Sequence, residues 1–301
     1  MLWRLPVKKT DIAYALIRKG VYPMKRITDT LEISRSNQYT RGKEKRKSYK
    51  SHPDDGKYLP LIRQITDERP TYGYRRVTAL LNRSLKANGQ PSVNHKRIYR
   101  IMRVNHLLLP KYTGKPMRTH DGSVITLTSN MRWCSDVFEI ICYNGEKIRV
   151  AFAMDTCDRE ILSYIATTGG ITSELVKDLM AESIEYRFGK IDKLPHRIQW
   201  LSDNAFGYTA RVTIAFAHMM GFEVCTTPYY SPESNGMAEP FVRTFKRDYV
   251  YVHDLPDAKT VMELLPLWFQ DYNLNHPNKG LKMKSPREYR MMQNKLEDCP
   301  V

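Results

Sequence analysis

Residues 231–246 read Ser231-Pro-Glu-Ser-Asn-Gly-Met-Ala-Glu-Pro-Phe-Val-Arg-Thr-Phe-Lys246, a turn-forming head that runs into helical periodicity. Glu239 and Lys246 are seven residues apart. At 3.6 residues per turn, that spacing returns the second side chain to within about 20° of the first, so a carboxylate and an ammonium face one groove. Such a pairing suits a metal ion beside a phosphate. Upstream, Leu201-Ser-Asp-Asn204 closes an apolar run that reads as a buried strand, and 35 residues separate Asp203 from Glu239. Trp133-Cys-Ser-Asp136 places another carboxylate in a strand-like run. Taken singly, each acid is an ordinary surface charge, since acidic side chains are seldom buried. Together they make chemical sense converging on divalent cations: Mg²⁺ takes oxygen ligands, and two ions about 3.5–4 Å apart serve an in-line phosphoryl displacement.

Asp136, Asp203 and Glu239, with their spacing and the following Lys, resemble the D-D-E triad of the transposase and retroviral integrase superfamily. More narrowly, the chain resembles the second-frame (OrfB) transposase of the insertion sequence 3 family. Arg69-Pro-Thr-Tyr-Gly-Tyr-Arg-Arg76, Val93-Asn-His-Lys-Arg-Ile-Tyr-Arg-Ile-Met102, Trp133 to Asp136, Leu201 to Asn204, Ser231 to Glu239 and Ser285-Pro-Arg-Glu-Tyr289 all stand in the expected order, so the resemblance covers nearly the whole chain. It implies an α/β catalytic core of the ribonuclease-H-like kind, a mixed five-stranded sheet flanked by helices, behind all-α helix-turn-helix modules. In that fold the first and fourth strands lie side by side, bringing Asp136 and Asp203 together. The implied reaction is Mg²⁺-dependent DNA cleavage and strand transfer at insertion-sequence ends, using two Mg²⁺ ions with Mn²⁺ as a substitute. Asp136 and Asp203 are the implied shared metal ligands, Glu239 the ligand to the second ion, and Arg243 and Lys246 clamps on DNA phosphates. The implied partners are double-stranded DNA, as element terminal inverted repeats and as target, and further copies of the chain in a homo-oligomer on DNA. Family members are usually made as a frameshifted fusion whose first-frame part adds another helix-turn-helix and a zipper.

Charge is distributed in agreement with this. The 301 residues carry a net +16, but residues 1–120 hold 28 Lys and Arg against 8 Asp and Glu, while residues 121–301 hold 20 against 24. A front with a net of +20 grips a polyanion, and a back with a net of −4 does something else. The five Cys form no C-x-x-C pair and mostly lie in apolar runs, as reduced core-filling thiols do. No secretory signal and no apolar run near 18 residues is evident. The expected location is therefore the bacterial cytoplasm, at the nucleoid and away from membranes.

Four segments are expected. Residues 1–50 form a helical, helix-turn-helix-like region with apolar stripes at Ile12, Ala13, Leu16 and Ile17 and at Ile27, Leu31 and Ile33, ending in a basic linker over residues 41–50. Residues 51–120 form a second helix-turn-helix domain of three helices, marked by Leu61, Ile62 and Ile65, by Val77, Leu80 and Leu81, and by Ile98, Ile101 and Met102. The third helix carries Lys96, Arg97, Arg100 and Arg103 opposite its apolar side, the pattern of a recognition helix in a major groove, although an ordinary solvated face looks the same. Arg75 and Arg76 join it as candidate DNA contacts. Residues 110–120 read as a basic linker. Residues 121–252 form the catalytic core in the order β-β-β-α-β-α-β-α, with Asn144-Gly145 as a two-residue hairpin. Its elements are strands at 137–142, 147–154, 161–167, 198–202 and 222–226 and helices at 173–188, 209–220 and around Glu239. Residues 253–301 form a helical tail with a packing role.

Two residues depart from the family pattern. Ala205 follows Asp203-Asn204 where Gly is usual, and Pro240 follows Glu239, where a proline inside a helix removes a hydrogen bond. They keep open the alternative of a catalytically inactive DNA-binding protein or repressor derived from a transposase. Glu139, Asp155, Asp158, Glu160 and Glu233 compete for ligand roles. Of these Glu233 is the closest rival, but it precedes the Ser-Asn-Gly turn and has no basic partner at helical spacing.

Overall fold

In a computed structural model, residues 9–42, 52–110, 126–191, 193–226 and 236–297 are described. The chain divides into two compact units, Met1–Lys57 and Tyr58–Val301. The first holds α1 (Lys9–Lys19), α2 (Met24–Thr30) and α3 (Arg35–Gly42) around buried Ala13 and Ile27. The stretch after the two expected helices thus forms a third. Residues 43–51 of the expected basic linker, and 111–125 of the second, lie outside the described residues.

The second unit begins with the three expected helices, α4 (Asp55–Glu68), α5 (Tyr74–Ala87) and α6 (His95–Val104). Ile62, Val77, Leu81, Ile98, Ile101 and Met102 meet in one cluster, which is why their helical spacing was visible. Asn94 caps α6 by accepting a bond from the Lys96 N–H at 2.9 Å.

Five strands follow: β1 (Arg132–Ile141), β2 (Lys147–Asp155), β3 (Ile161–Thr167), β4 (Ile198–Ser202) and β5 (Phe222–Thr226). They form one sheet in the order β3-β2-β1-β4-β5, antiparallel through β1 and parallel from β1 to β5. That is the ribonuclease-H-like arrangement, covered on both faces. β2 shows how: Ile148, Val150, Phe152 and Met154 point to one cluster and Ala151 and Ala153 to the other, by the two-residue period of a strand. α7 (Ser173–Phe188), α8 (Phe206–Thr209) and α9 (Arg211–Met220) cover the alanine face. α10 (Ala238–Phe245) and α11 (Ala258–Asn275) cover the Phe152 face, where Phe241, Phe245, Val261, Leu265 and Phe269 are buried. α12 (Pro286–Glu297) is the last element among the described residues.

Two local expectations are corrected. The helix read over residues 209–220 arrives as α8 and α9, parted at Ala210, whose ψ of 136° is extended. Gly207 packs so closely that an added Cβ would stand 3.1 Å from the Ile171 carbonyl, and the Thr213 hydroxyl donates to the Gly207 carbonyl at 2.7 Å. The chain must turn there to satisfy both. The hairpin after β1 is not a two-residue turn either. Gly145 N–H bonds the Cys142 carbonyl at 3.0 Å and Gly145 alone takes a left-handed φ of 88°. This is a three-residue loop closed by a glycine bulge, because the Asn144 side chain is occupied in accepting from the Glu146 N–H at 3.0 Å. Cys134, Cys142, Cys157 and Cys225 are free thiols, and burial pushes each above its usual pKa.

The tail does more than cap the sheet. His276, 1% exposed, shares a hydrogen bond with the Tyr72 hydroxyl at 2.9 Å, and burial, with Arg76 and Arg247 nearby, drives its pKa down to about 3 against the opposing charges of Asp248 and Asp271. The fold therefore holds a neutral imidazole. Unfolded, the ring takes a proton near pH 6.5, so its contribution is intact above that pH and is lost as pH falls toward 3. The unfolding free energy measured by urea titration is expected to fall between pH 7 and pH 5, by up to about 1.4 kcal/mol per pH unit below 6.5. A His276→Gln variant is expected to lose less over the same interval.

Candidate active site

β1 and β4 pair in parallel from Arg132 opposite Gln199 to Cys134 opposite Leu201. Cys134 and Leu201 both pack into the cluster that α10 completes. By the two-residue period, Asp136 and Asp203 emerge two positions later on that same face, side by side where the pairing stops. Ser135, pointing the other way, is buried and bonded to the Tyr208 hydroxyl at 2.7 Å. The Val137 N–H donates to Asp136 Oδ1 at 2.8 Å, and the Ala205 N–H donates to Asp203 Oδ1 at 3.1 Å.

α10 brings the third carboxylate. Its stripe Ala238, Phe241 and Phe245 is buried, with Phe241 4.6 Å from Phe152 and Phe245 5.7 Å from Phe138, ring centre to ring centre. That packing fixes the rotation of the helix and leaves Glu239 exposed in its first turn. The three acids feel one another. Burial lifts the Asp136 carboxyl to about 6, and the charges of Asp203 and Glu239 push the same way against the Val137 hydrogen bond. Among the described residues none of the three has a basic partner in an ion pair.

An integrase core domain matches residues 128–232 and, in a second piece, residues 220–286, while an HTH-like domain matches residues 53–115. Over 293 residues the chain is 44% identical to "Transposase InsD for insertion element IS2-9" of Escherichia coli (strain K12), covering 94% of this chain and 93% of that protein. The chain belongs to the insertion sequence 3 family of DDE transposases. It is likewise 44% identical over 290 residues to the Escherichia coli "Transposase InsD for insertion element IS2A/D/F/H/I/K", covering 93% of this chain and 94% of that one. Among solved structures, the catalytic domain of Mos1 mariner transposase is similar at a TM-score of 0.40 and 17% identity, over 56% of this chain and 77% of that one.

The transposase accommodates both departures from the family pattern. Ala205 has φ −65° and ψ 148°, an extended conformation open to any residue, so glycine is not required there. Pro240 is the third residue of α10, in the first turn, where the missing N–H costs no intrahelical bond.

Four of the five rival carboxylates are engaged elsewhere, and Glu233 lies outside the described residues. Glu139 pairs with Arg149 at 2.9 Å. Asp155, Asp158 and Glu160 surround the fully buried Arg187 at 3.6, 3.1 and 3.2 Å. Arg187 escaped the sequence reading, although its place four residues after Ser183 on the buried side of α7 was a usable signal. Asp248 escaped it too, being three residues beyond Phe245 on the stripe of α10.

The basic candidates divide. Lys246 opens a π turn, Lys246–Val250, with its ammonium 5.7 Å over the Phe138 ring; burial lowers its pKa and the Glu139 charge opposes that. Arg243 is exposed on α10. On α6, Lys96 and Arg103 are exposed, while Arg97 and Arg100 are half-buried, Arg97 lying 4.9 Å over the Tyr58 ring. Arg75 is exposed and stacked 5.8 Å over Tyr74. Arg76 is half-buried, its guanidinium donating to Asp248 Oδ2 at 2.8 Å and lying over the Tyr72 ring.

The donor chemistry fits a hard dication. Asp136, Asp203 and Glu239 offer only carboxylate oxygens, with mutual repulsion that a cation would relieve. As they stand, no three His, Cys, Asp or Glu side chains among the described residues are close enough to share a metal ion.

Proposed function

We propose that this transposase cuts one strand at each end of its element and joins the freed 3′-hydroxyl to target DNA, with Asp136, Asp203 and Glu239 as the metal-holding carboxylates. One observation carries this reading: the β1–β4 register and the buried stripe of α10 deliver three unpaired carboxylates to one face of a ribonuclease-H-like sheet. When bound, two Mg²⁺ ions, or Mn²⁺ in their place, supply activation of the attacking oxygen and stabilisation of the leaving oxygen. Backbone bonds from Val137 and Ala205 occupy one oxygen each of Asp136 and Asp203, leaving the second oxygen for that task. Arg243 and Lys246 flank the site as phosphate clamps. Residues 51–120 recognise the terminal repeats through Arg75, Lys96, Arg97, Arg100 and Arg103, residues 1–50 add DNA contacts, residues 121–252 carry the chemistry, and residues 253–301 buttress it. Copies of the chain assemble on two ends. No helix among the described residues is long and apolar enough to cross a membrane, in keeping with a role at the nucleoid.

Incubating the full chain with linear element ends tests the reading: Mg²⁺ is expected to support a nick at the element boundary, and a chelator to abolish it. Absence of any Mg²⁺-supported nick favours the repressor alternative. Duplex binding is expected to weaken steeply with salt, each neutralised phosphate adding about −0.9 to the log–log slope. A slope near zero between low and physiological salt excludes the phosphate contacts proposed for the front of the chain.

A further inference from the structure

The stretch Arg69-Pro-Thr-Tyr-Gly-Tyr-Arg-Arg76 joins α4 to α5 within the helix-turn-helix-like domain, yet its polar groups reach into the integrase core. The Thr71 hydroxyl donates to Asp248 Oδ1 at 2.7 Å, and Arg76 donates to Asp248 Oδ2 at 2.8 Å. Arg69 donates to Asp271 Oδ1 at 2.6 Å, and the Tyr249 hydroxyl takes the other oxygen of Asp271 at 2.8 Å. Asp248 has a side chain only 1% exposed and is also gripped by Arg247 at 2.6 and 2.7 Å. A buried carboxylate with this many donors is firmly fixed, because breaking any of them leaves buried charge uncompensated.

The place of Asp248 gives the contact its meaning. It lies in the π turn Lys246–Val250, which continues without a break from α10, the helix that carries Glu239. π turns are rare insertions in helices and gather at functional sites. Here the wide turn is the point at which the DNA-binding domain takes hold of the catalytic helix. Asp248 is nine residues from Glu239 on a short rigid element whose other anchor is the Phe138 and Phe152 contact.

We infer that Asp248 is a positioning residue: docked by Thr71 and Arg76, it sets the place of α10 and so of Glu239, coupling engagement of the element end to strand cleavage. This rests on the strand-transfer reading above. Single-turnover cleavage of an element end, at saturating DNA and per folded molecule, is compared with the dissociation constant for the same end in Asp248→Asn, Arg76→Met and Thr71→Val. The parent in the same assay is the reference, so a failure of the strand-transfer reading shows in the parent and not in the variants. Asp248→Asn and Arg76→Met are each expected to slow cleavage by about 100-fold, as displacement of a catalytic group by about an ångström does, with the dissociation constant unchanged within about twofold. The double variant is expected to be no slower than the slower single one. Thr71→Val, which removes one donor and keeps the shape, is expected to slow cleavage less and carries the test should Asp248→Asn not fold. Parent-rate cleavage per folded molecule in Thr71→Val and Arg76→Met overturns the inference, leaving a dock that only stabilises. A dissociation constant that rises in Arg76→Met but not in Asp248→Asn also overturns it, making Arg76 a DNA contact.

Discussion

Asp136→Asn, Asp203→Asn and Glu239→Gln are each expected to abolish nicking and joining by the full chain while leaving the fold and DNA binding in place. Each exchange keeps the side-chain volume and removes the charge that would hold a cation. Several kcal/mol of transition-state stabilisation depend on that cation, so the loss is expected to be on the order of 1000-fold or more. Binding of DNA without metal is expected to tighten slightly, because a carboxylate beside phosphate repels it. Asp136→Asn has a second readout. The Asp136 carboxyl sits at about 6 in the fold, against about 3.9 for a free side chain, so the charged form opposes folding as pH rises above about 4. The metal-free variant is therefore expected to melt no lower than the parent at pH 7–8, whereas Mg²⁺ is expected to raise the melting temperature of the parent alone. Glu233→Gln is the internal control and is expected to stay active. Loss of strand transfer in Glu233→Gln with Glu239→Gln active would move the third ligand into the turn before α10. Parent-like activity in all four would place the chemistry elsewhere.

The elements that carry those acids were legible because local rules and strand periodicity set them. β3, α7, β4 and β5 fall where the apolar runs and their punctuation put them; Thr172 caps α7 with a bond to the Leu175 N–H, and Gly189, at φ 79°, ends it. The parallel neighbours β1 and β4 were reachable only through the family resemblance, since nothing local in residues 132–141 names residues 198–202 as partners. Outside the hairpin loop, what the sequence did not show has one cause. Gly207 is needed because another segment approaches it, Arg76 turns inward because of Asp248, 172 residues away, and Asp155, Asp158 and Glu160 are tied up by Arg187. Each is a pairing across sequence distance, which periodicity cannot carry. An Arg or Asp at a buried helical position is the trace such pairings leave, and at Arg187 and Asp248 that trace was present.

Removing Arg187 is expected to produce the largest loss of stability of any single charge in the core. Its side chain and those of Asp155, Asp158 and Glu160 have no solvent exposure. Of the three carboxylates, Arg287 and Arg290 of α12 reach only Glu160, at 2.6 and 3.0 Å, so among the described residues Arg187 is the cation paired with Asp155 and Asp158. Asp155 in turn accepts from the Asn130 N–H at 2.6 Å and closes β2 opposite Trp133, at the entry to the strand that carries Asp136. Breaking a buried ion pair from one side costs about 3–5 kcal/mol, because the stranded charges stay out of water. Arg187→Met, which keeps most of the length, is expected to lower unfolding free energy by that amount at pH 7, measured by urea titration. The pH dependence identifies the cause. Burial already lifts the Asp155 carboxyl to about 6 against the opposing charge of Arg187, so without that charge the variant's stability is lowest at neutral pH and recovers as pH falls toward about 4. An ordinary packing defect would give a loss that does not depend on pH, and a difference from the parent below about 1 kcal/mol at pH 7 would show that the carboxylates had found other partners.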